Sequence, residues 1–303
     1  MTGDFVGSAV QFALQPKQFL GIPIALTGAV FLSLGAQLQH RGVSKVEENT
    51  HEAQDGGLNL QQLRLLLARP SWVIGTLMLG LAVVFQLASL VPSPLIVVQP
   101  LGAVALVITA VVNSKVSKTP LNRKSIIAIS LCVGGVALFV IVAAFTARDV
   151  PISDTALVLI LLILAAVLVL FAVLFALLRR RFKAVFYILC AGVLYGFVVT
   201  LAKTVIARIT QGEVDWLLVV GVVALLAAAI GGGYFVQNAY ASGPPDLVIA
   251  GLTVIDPLVA VTIGILILHE ATQAPLWAGI AFVIAGAIAI WGVFLLAKHH
   301  PQA

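Results

Sequence analysis

Of the 303 residues, 61% are hydrophobic and only 10% charged, and the mean hydropathy is +1.13. Soluble globular chains are roughly half apolar and a quarter charged, so this balance excludes a soluble domain and places the chain in a membrane. The net charge of +5 does not point to nucleic acid, because the basic residues lie in loops between apolar segments, where they report orientation.

Residues 1–18 lack the basic start and cleavage site of a signal peptide, and a full-length apolar segment follows them. Phe5, Ala9, Phe12 and Ala13 fit one face of a short interfacial helix. Apolar segments long enough to cross a bilayer as helices then occupy 21–39, 71–91, 94–113, 125–146, 155–178, 184–208, 216–240, 245–268 and 276–296. They are numbered here as spans one to nine. The only long connection, 40–70, holds an acidic piece and then 58–69, where Leu60, Leu63, Leu66 and Leu67 share a helical face suited to the inner leaflet.

The loops fix the expected orientation. Arg41, Lys45, Arg64 and Arg69 follow span one; Lys115, Lys118, Arg123 and Lys124 follow span three; Arg179, Arg180, Arg181 and Lys183 follow span five. With Lys298 they fall on one face, against Lys17, Arg148 and Arg208 on the other. Positive residues stay inside, so the plasma membrane is expected to hold the chain with its N-terminus outside and its C-terminus in the cytoplasm.

Span five has no glycine and no polar residue after Thr155, as expected of a helix facing lipid on most sides. It reads as a bridge (147–183) between two four-helix repeats, 1–146 and 184–303. One intervening helix makes the second repeat enter from the opposite side, so the expected fold is all-α, with nine transmembrane helices in two inverted repeats. Val98-Gln99-Pro100-Leu101-Gly102-Ala103-Val104 lines up with Ile255-Asp256-Pro257-Leu258-Val259-Ala260-Val261 at an offset of 157 residues, which also sets Asn113 on Glu270. Proline has no N–H, so Pro100 and Pro257 are expected to break their helices. Cys132 and Cys190 both lie within spans, and no disulfide or metal framework follows from them.

The candidate site residues follow from what is expensive inside a bilayer. Asp256 is the one ionisable side chain in 247–268, and it reads either as a coupling group for a proton or cation or as the N-cap of a half-helix restarting at Pro257. Lys203 lies inside span six and reads either as snorkelling to the interface or as paired with Asp256, Glu270 or an anionic solute. Gln39 is its repeat partner when Gly28 is set on Gly192. Gln86, Gln99, Gln237 and Asn238 are amides that either line a pathway or join helices. Glu270, beside His269, falls at the outer end of span eight, where an interfacial carboxylate needs no further explanation.

The stretches LVPSPLIVVQPLGAVALVITAVVNSK and LTVIDPLVAVTIGILILHEATQAPLWAGIAFVIAGAIAIWGV resemble the EamA-like proteins of the drug/metabolite transporter superfamily. Nine spans, GAQLQHRG ending span one and QPLGA in span three are similar to the NIPA-type magnesium transporters of that superfamily. An acidic residue expected by that resemblance in span two is replaced by the apolar run 79–85. The resemblance implies a transporter and lifts Glu270 among the candidates.

No phosphate-binding glycine loop, no His-Glu-x-x-His and no Gly-x-Ser-x-Gly occurs, so no enzyme activity, ATP use, cofactor or resident metal is expected. Three functions stay open: gradient-driven transport of a small metabolite or drug-like solute, in the direction of export; transport of Mg²⁺ or another divalent cation; and a lipid-handling or scaffold role in envelope assembly. The partners expected are the small-molecule or ion substrate and membrane lipid, with no nucleic acid and with a homodimer left open.

Overall fold

The computed structural model describes residues 19–50, 67–116, 122–178, 184–242 and 245–299, and these are helical almost throughout. Among them, nine helices are long and apolar enough to cross a membrane, so the chain is an all-α multi-pass membrane protein. Spans one and two are Gly21–Thr50 and Pro70–Ser89. Span three is Leu95–Val98, a 3-10 turn over Gln99–Gly102, and Ala103–Val116. Spans four to nine are Arg123–Thr146, Asp154–Leu178, Ala184–Gln211, Trp216–Ser242, Pro245–Leu266 and Leu276–His299. The interfacial helix expected within 1–18 lies outside the described residues, as does all of the amphipathic helix expected over 58–69 except 67–69. Span one runs on as helix past residue 39 to Thr50, since no proline in 40–50 stops it.

The two prolines act differently. At Pro100 the α-helix gives way to a 3-10 turn, which tightens the backbone where the carbonyl of Ile96 has no amide to meet. Span eight instead passes through Pro257 as one helix, so the break expected there is absent. One missing N–H is tolerated where neighbouring helices hold the segment in place. No half-helix restarts at Pro257, and Asp256 is therefore an interior residue of its helix and not an N-cap.

Span one lies along span two, span six along span seven, span eight along span six, and span four along span nine. The last pair is in backbone contact. A Cβ added at Gly135 would sit 2.5 Å from Ala289 N and 2.9 Å from Ala285 O; one added at Gly292 would collide with Cys132 N and sit 2.9 Å from Ala128 O. These contacts are related by the same 157-residue offset that relates Pro100 to Pro257: Ala128, Cys132 and Gly135 correspond to Ala285, Ala289 and Gly292. Each residue meets the counterpart of the residue its own counterpart meets, which is the signature of a two-fold contact. Residue 135 meets 289 while 132 meets 292, so the two helices are antiparallel.

Span five presents one buried stripe, Leu157, Ile160, Leu164 and Phe171, and Phe171 meets Phe235 of span seven edge-on at 6.0 Å between ring centroids. Its other faces are exposed. Leu162→Val and Leu170→Val, at exposed positions, should shift stability by no more than about 0.5 kcal/mol. Leu164→Ala, in the stripe, should cost about 2–5 kcal/mol. Thermal unfolding of purified variants reads the contrast, and equal losses at both kinds of site would show that span five is enclosed by protein.

Candidate functional site

A cavity of about 440 Å³ lies where spans three and four meet spans eight and nine, within the size range of small-molecule sites. Pro100, Ala103, Val136 and Phe139 line it from the first half; Pro257, Val261, Phe282 and Val293 line it from the second. Pro100 with Pro257 and Val136 with Val293 are pairs at the 157-residue offset, so the cavity straddles the relation seen between spans four and nine. Its wall is apolar. Thr253 and Thr262 also line it, but their hydroxyls donate to carbonyls of their own helix, to Ile249 O at 2.8 Å and Leu258 O at 2.7 Å. Among the described residues no charged side chain lines the cavity.

Asp256 stands beside Pro257 but on another side of the helix. Its backbone faces span six, where a Cβ at Gly196 would lie 3.0 Å from Asp256 O. The Asp256 carboxyl is sealed at Oδ1, which has no hydrogen-bond partner among the described residues, and Gln99 Nε2 is buried in the same condition. Leaving a buried polar atom unpaired costs about 1–3 kcal/mol. The two groups hold corresponding places, each directly before the cavity proline of its half.

A second constellation sits at the end of the bundle where span eight finishes. His269 takes a left-handed backbone, φ 59°, and folds the chain back so that Glu270 N donates to Gly264 O at 3.0 Å. Glu270 is thereby buried, at 1% exposure, rather than interfacial as expected. Both of its carboxylate oxygens accept backbone amides from the start of span three: Leu95 N to Oε1 at 2.9 Å and Ile96 N to Oε2 at 3.0 Å. Gly264 leaves room for this, since a Cβ there would lie 2.9 Å from Oε2.

Lys203 Nζ pairs with Glu270 Oε1 at 3.1 Å and Asp149 Oδ1 at 2.7 Å and donates to Ser93 O at 3.0 Å. The ammonium thus donates two hydrogen bonds, to Ser93 O and Asp149 Oδ1, and lies in ion-pair contact with Glu270. It is held inside the bundle rather than snorkelling to the interface. A buried charge is tolerated when it is paired and hydrogen-bonded in this way. A cleft of about 160 Å³ adjoins it, bordered by Asp149, Lys203, Thr210 and Gln211. One turn and a half further along span six, Arg208 is 2% exposed and pairs with Asp154, Glu213 and Asp215.

Of the residues singled out in the sequence, the structure brings together Lys203 with Glu270, and Pro100 with Pro257. Gln39 Nε2 donates to Thr76 Oγ1 at 2.9 Å and joins spans one and two; Asn238 Nδ2 donates to Tyr234 O at 2.8 Å within its own helix; Gln86 lies on span two beside Gly28. Gln39, Gln86 and Asn238 do not line the cavity. Asp149 and Ser93 were not anticipated. A lone lysine within a span, with carboxylates in two loops on its own side, was the available signal. Among the described residues no group of three or more His, Cys, Asp or Glu side chains is placed to hold a metal ion.

Comparison with known proteins finds an uncharacterised protein of Corynebacterium glutamicum that is 25% identical over 284 residues, covering 93% of this chain and 96% of that one. Two Arabidopsis thaliana proteins named as probable magnesium transporters, NIPA4 and NIPA1, are 29% and 25% identical over 115 and 122 residues, or 38% and 40% of this chain. The chain spans about a third of the length of these plant relatives (32% and 35%). No family model matches, and no solved structure does.

Proposed function

We propose that the chain is a secondary transporter of the drug/metabolite superfamily kind, moving a small apolar or amphiphilic solute through the cavity between Pro100 and Pro257 by alternating access. The observation that carries this is the cavity itself: it lies on the seam between two offset-related halves and has no charged wall. The symmetric, antiparallel contact of spans four and nine supports two inverted repeats, 1–146 and 184–303, rocking about each other with span five as bridge. Export, a plasma-membrane location and an external position for 148–153 complete the reading. Labelling a cysteine in 148–153 with an impermeant reagent on intact cells reads the sidedness.

Energy would enter through Asp256. Its Oδ1 has no partner to lose, so Asp256→Asn should keep the fold and its thermal stability. Asparagine cannot take up or release a proton, so gradient-driven flux should fall at least tenfold. The check is uptake into proteoliposomes of a panel of small apolar and amphiphilic solutes, with and without a pH gradient, for the parent and Asp256→Asn. Full gradient-driven flux in the variant rejects the coupling role, and no flux of any panel solute in the parent rejects the solute class.

The plant relatives favour a second reading, transport of Mg²⁺. Mg²⁺ dehydrates reluctantly and is held by carboxylates with several waters retained. Asp256 would be the carboxylate, with a hydrated ion in place of an organic solute. Saturable Mg²⁺ entry into the same proteoliposomes, followed with an entrapped Mg²⁺ indicator, would favour this reading over the first.

A further inference from the structure

Spans three and eight supply the two cavity prolines, and at one end of the bundle they are joined by charge. The start of span three gives the amides of Leu95 and Ile96 and the carbonyl of Ser93; the segment after span eight gives Glu270; span six gives Lys203; the loop after span four gives Asp149. The same loop adds Arg148 N donating to Glu270 O at 2.8 Å. At spans four and nine, by contrast, the halves meet through close backbone and apolar packing. Spans three and eight cannot separate at this end while Glu270 holds both amides.

Resting on the two-halves reading above, we infer that Glu270, Lys203 and Asp149 form a latch that closes the cavity toward their end of the bundle and must part for solute to pass there. The residue positions related to the latch by the repeat alignment are uncharged. The positions related to Glu270 and Lys203 are Asn113 and Gln39, both amides, and Gln39 is engaged with Thr76 inside its own half. On this reading the protein rests closed at the Lys203 end. Asp149 is the arm that releases first, because its side chain is 39% exposed and borders the adjoining cleft, whereas Glu270 is buried and held by two backbone amides beside the ion pair.

The test places one cysteine in the cavity, Thr253→Cys, in a background carrying Cys132→Ser and Cys190→Ser. Oriented proteoliposomes are exposed to a membrane-impermeant maleimide from either side. Labelling from the Lys203 end should be slow in the parent and in Lys203→Arg, which keeps the cation. It should rise at least tenfold in Glu270→Gln and Lys203→Met, with no rise from the opposite side. Asp149→Asn, at a partly exposed site that tolerates change, should raise it about two- to threefold and keeps the test valid where a buried variant fails to fold. Unchanged rates in folded Glu270→Gln and Asp149→Asn overturn the latch, as does an equal rise from both sides, which marks general loosening. The labelling needs no solute, so a failed transport assay and a failed latch are told apart.

Discussion

Replacing Glu270 by alanine should destabilise the protein by about 3–5 kcal/mol, the range for removing one partner of a buried ion pair. The loss comes from what stays behind. The Leu95 and Ile96 amides lose their acceptors, and Lys203 keeps only Asp149 and the Ser93 carbonyl for its charge. Glu270→Gln retains one acceptor oxygen and should lose less. Lys203→Ala combined with Glu270→Ala should cost less than the two single changes added together, because neither is then left as an uncompensated charge. Thermal unfolding of the purified single and double variants measures this. A Glu270→Ala protein within about 0.5 kcal/mol of the parent would mean that the cluster is solvated and carries no structural weight.

The second large effect belongs to the contact between spans four and nine. Gly292→Val would drive two methyls and a Cβ into the backbone of Cys132, which cannot rotate away as a side chain could. Overpacking of this kind costs about 1–3 kcal/mol and more where backbone must shift. Gly135→Val should lose a similar amount, since it meets Ala289 and Ala285 as Gly292 meets Cys132 and Ala128. Gly279→Ala, where an added Cβ meets nothing within 4 Å, should be neutral or stabilising by up to about 1 kcal/mol, as alanine is preferred to glycine within helices. Thermal melts of the three variants decide it. Unequal penalties at 135 and 292 would break the two-fold relation, and equal tolerance at all three would remove the close approach.

The spans were legible because each is a long run of apolar residues bounded by charge or, between spans two and three, by the prolines of the 92–94 turn, and that pattern needs no tertiary information. The partner of each span was not. Gly135 and Gly292 read in the sequence only as small residues, and their mutual contact depends on how two helices 157 residues apart are set against each other. At the site, Asp256 drew attention because a charge in an apolar run is conspicuous, yet the cavity wall passes it by, since its position on the helix turns it toward span six. Glu270 lay just beyond the apolar run and read as a solvated end. What buries it is the left-handed turn at His269, a backbone event with no mark in hydropathy. Arg208 shows the same blind spot: counted as a loop charge, it is enclosed by Asp154, Glu213 and Asp215, which come from two different connections.

The self-complementary contact of spans four and nine has a consequence for how such a chain arises and how it assembles. A surface that meets its own counterpart needs only one sequence, so a single four-helix unit with the Gly135 patch could pair with a second copy inserted upside down. On the two-repeat reading proposed above, span five is the segment that joins such a pair into one chain. The halves are then not obliged to be covalently joined. Two polypeptides, 1–178 and 184–303, co-expressed in one membrane, carry between them the glycines and alanines of this contact, and fragment complementation is the outcome expected of a self-complementary interface.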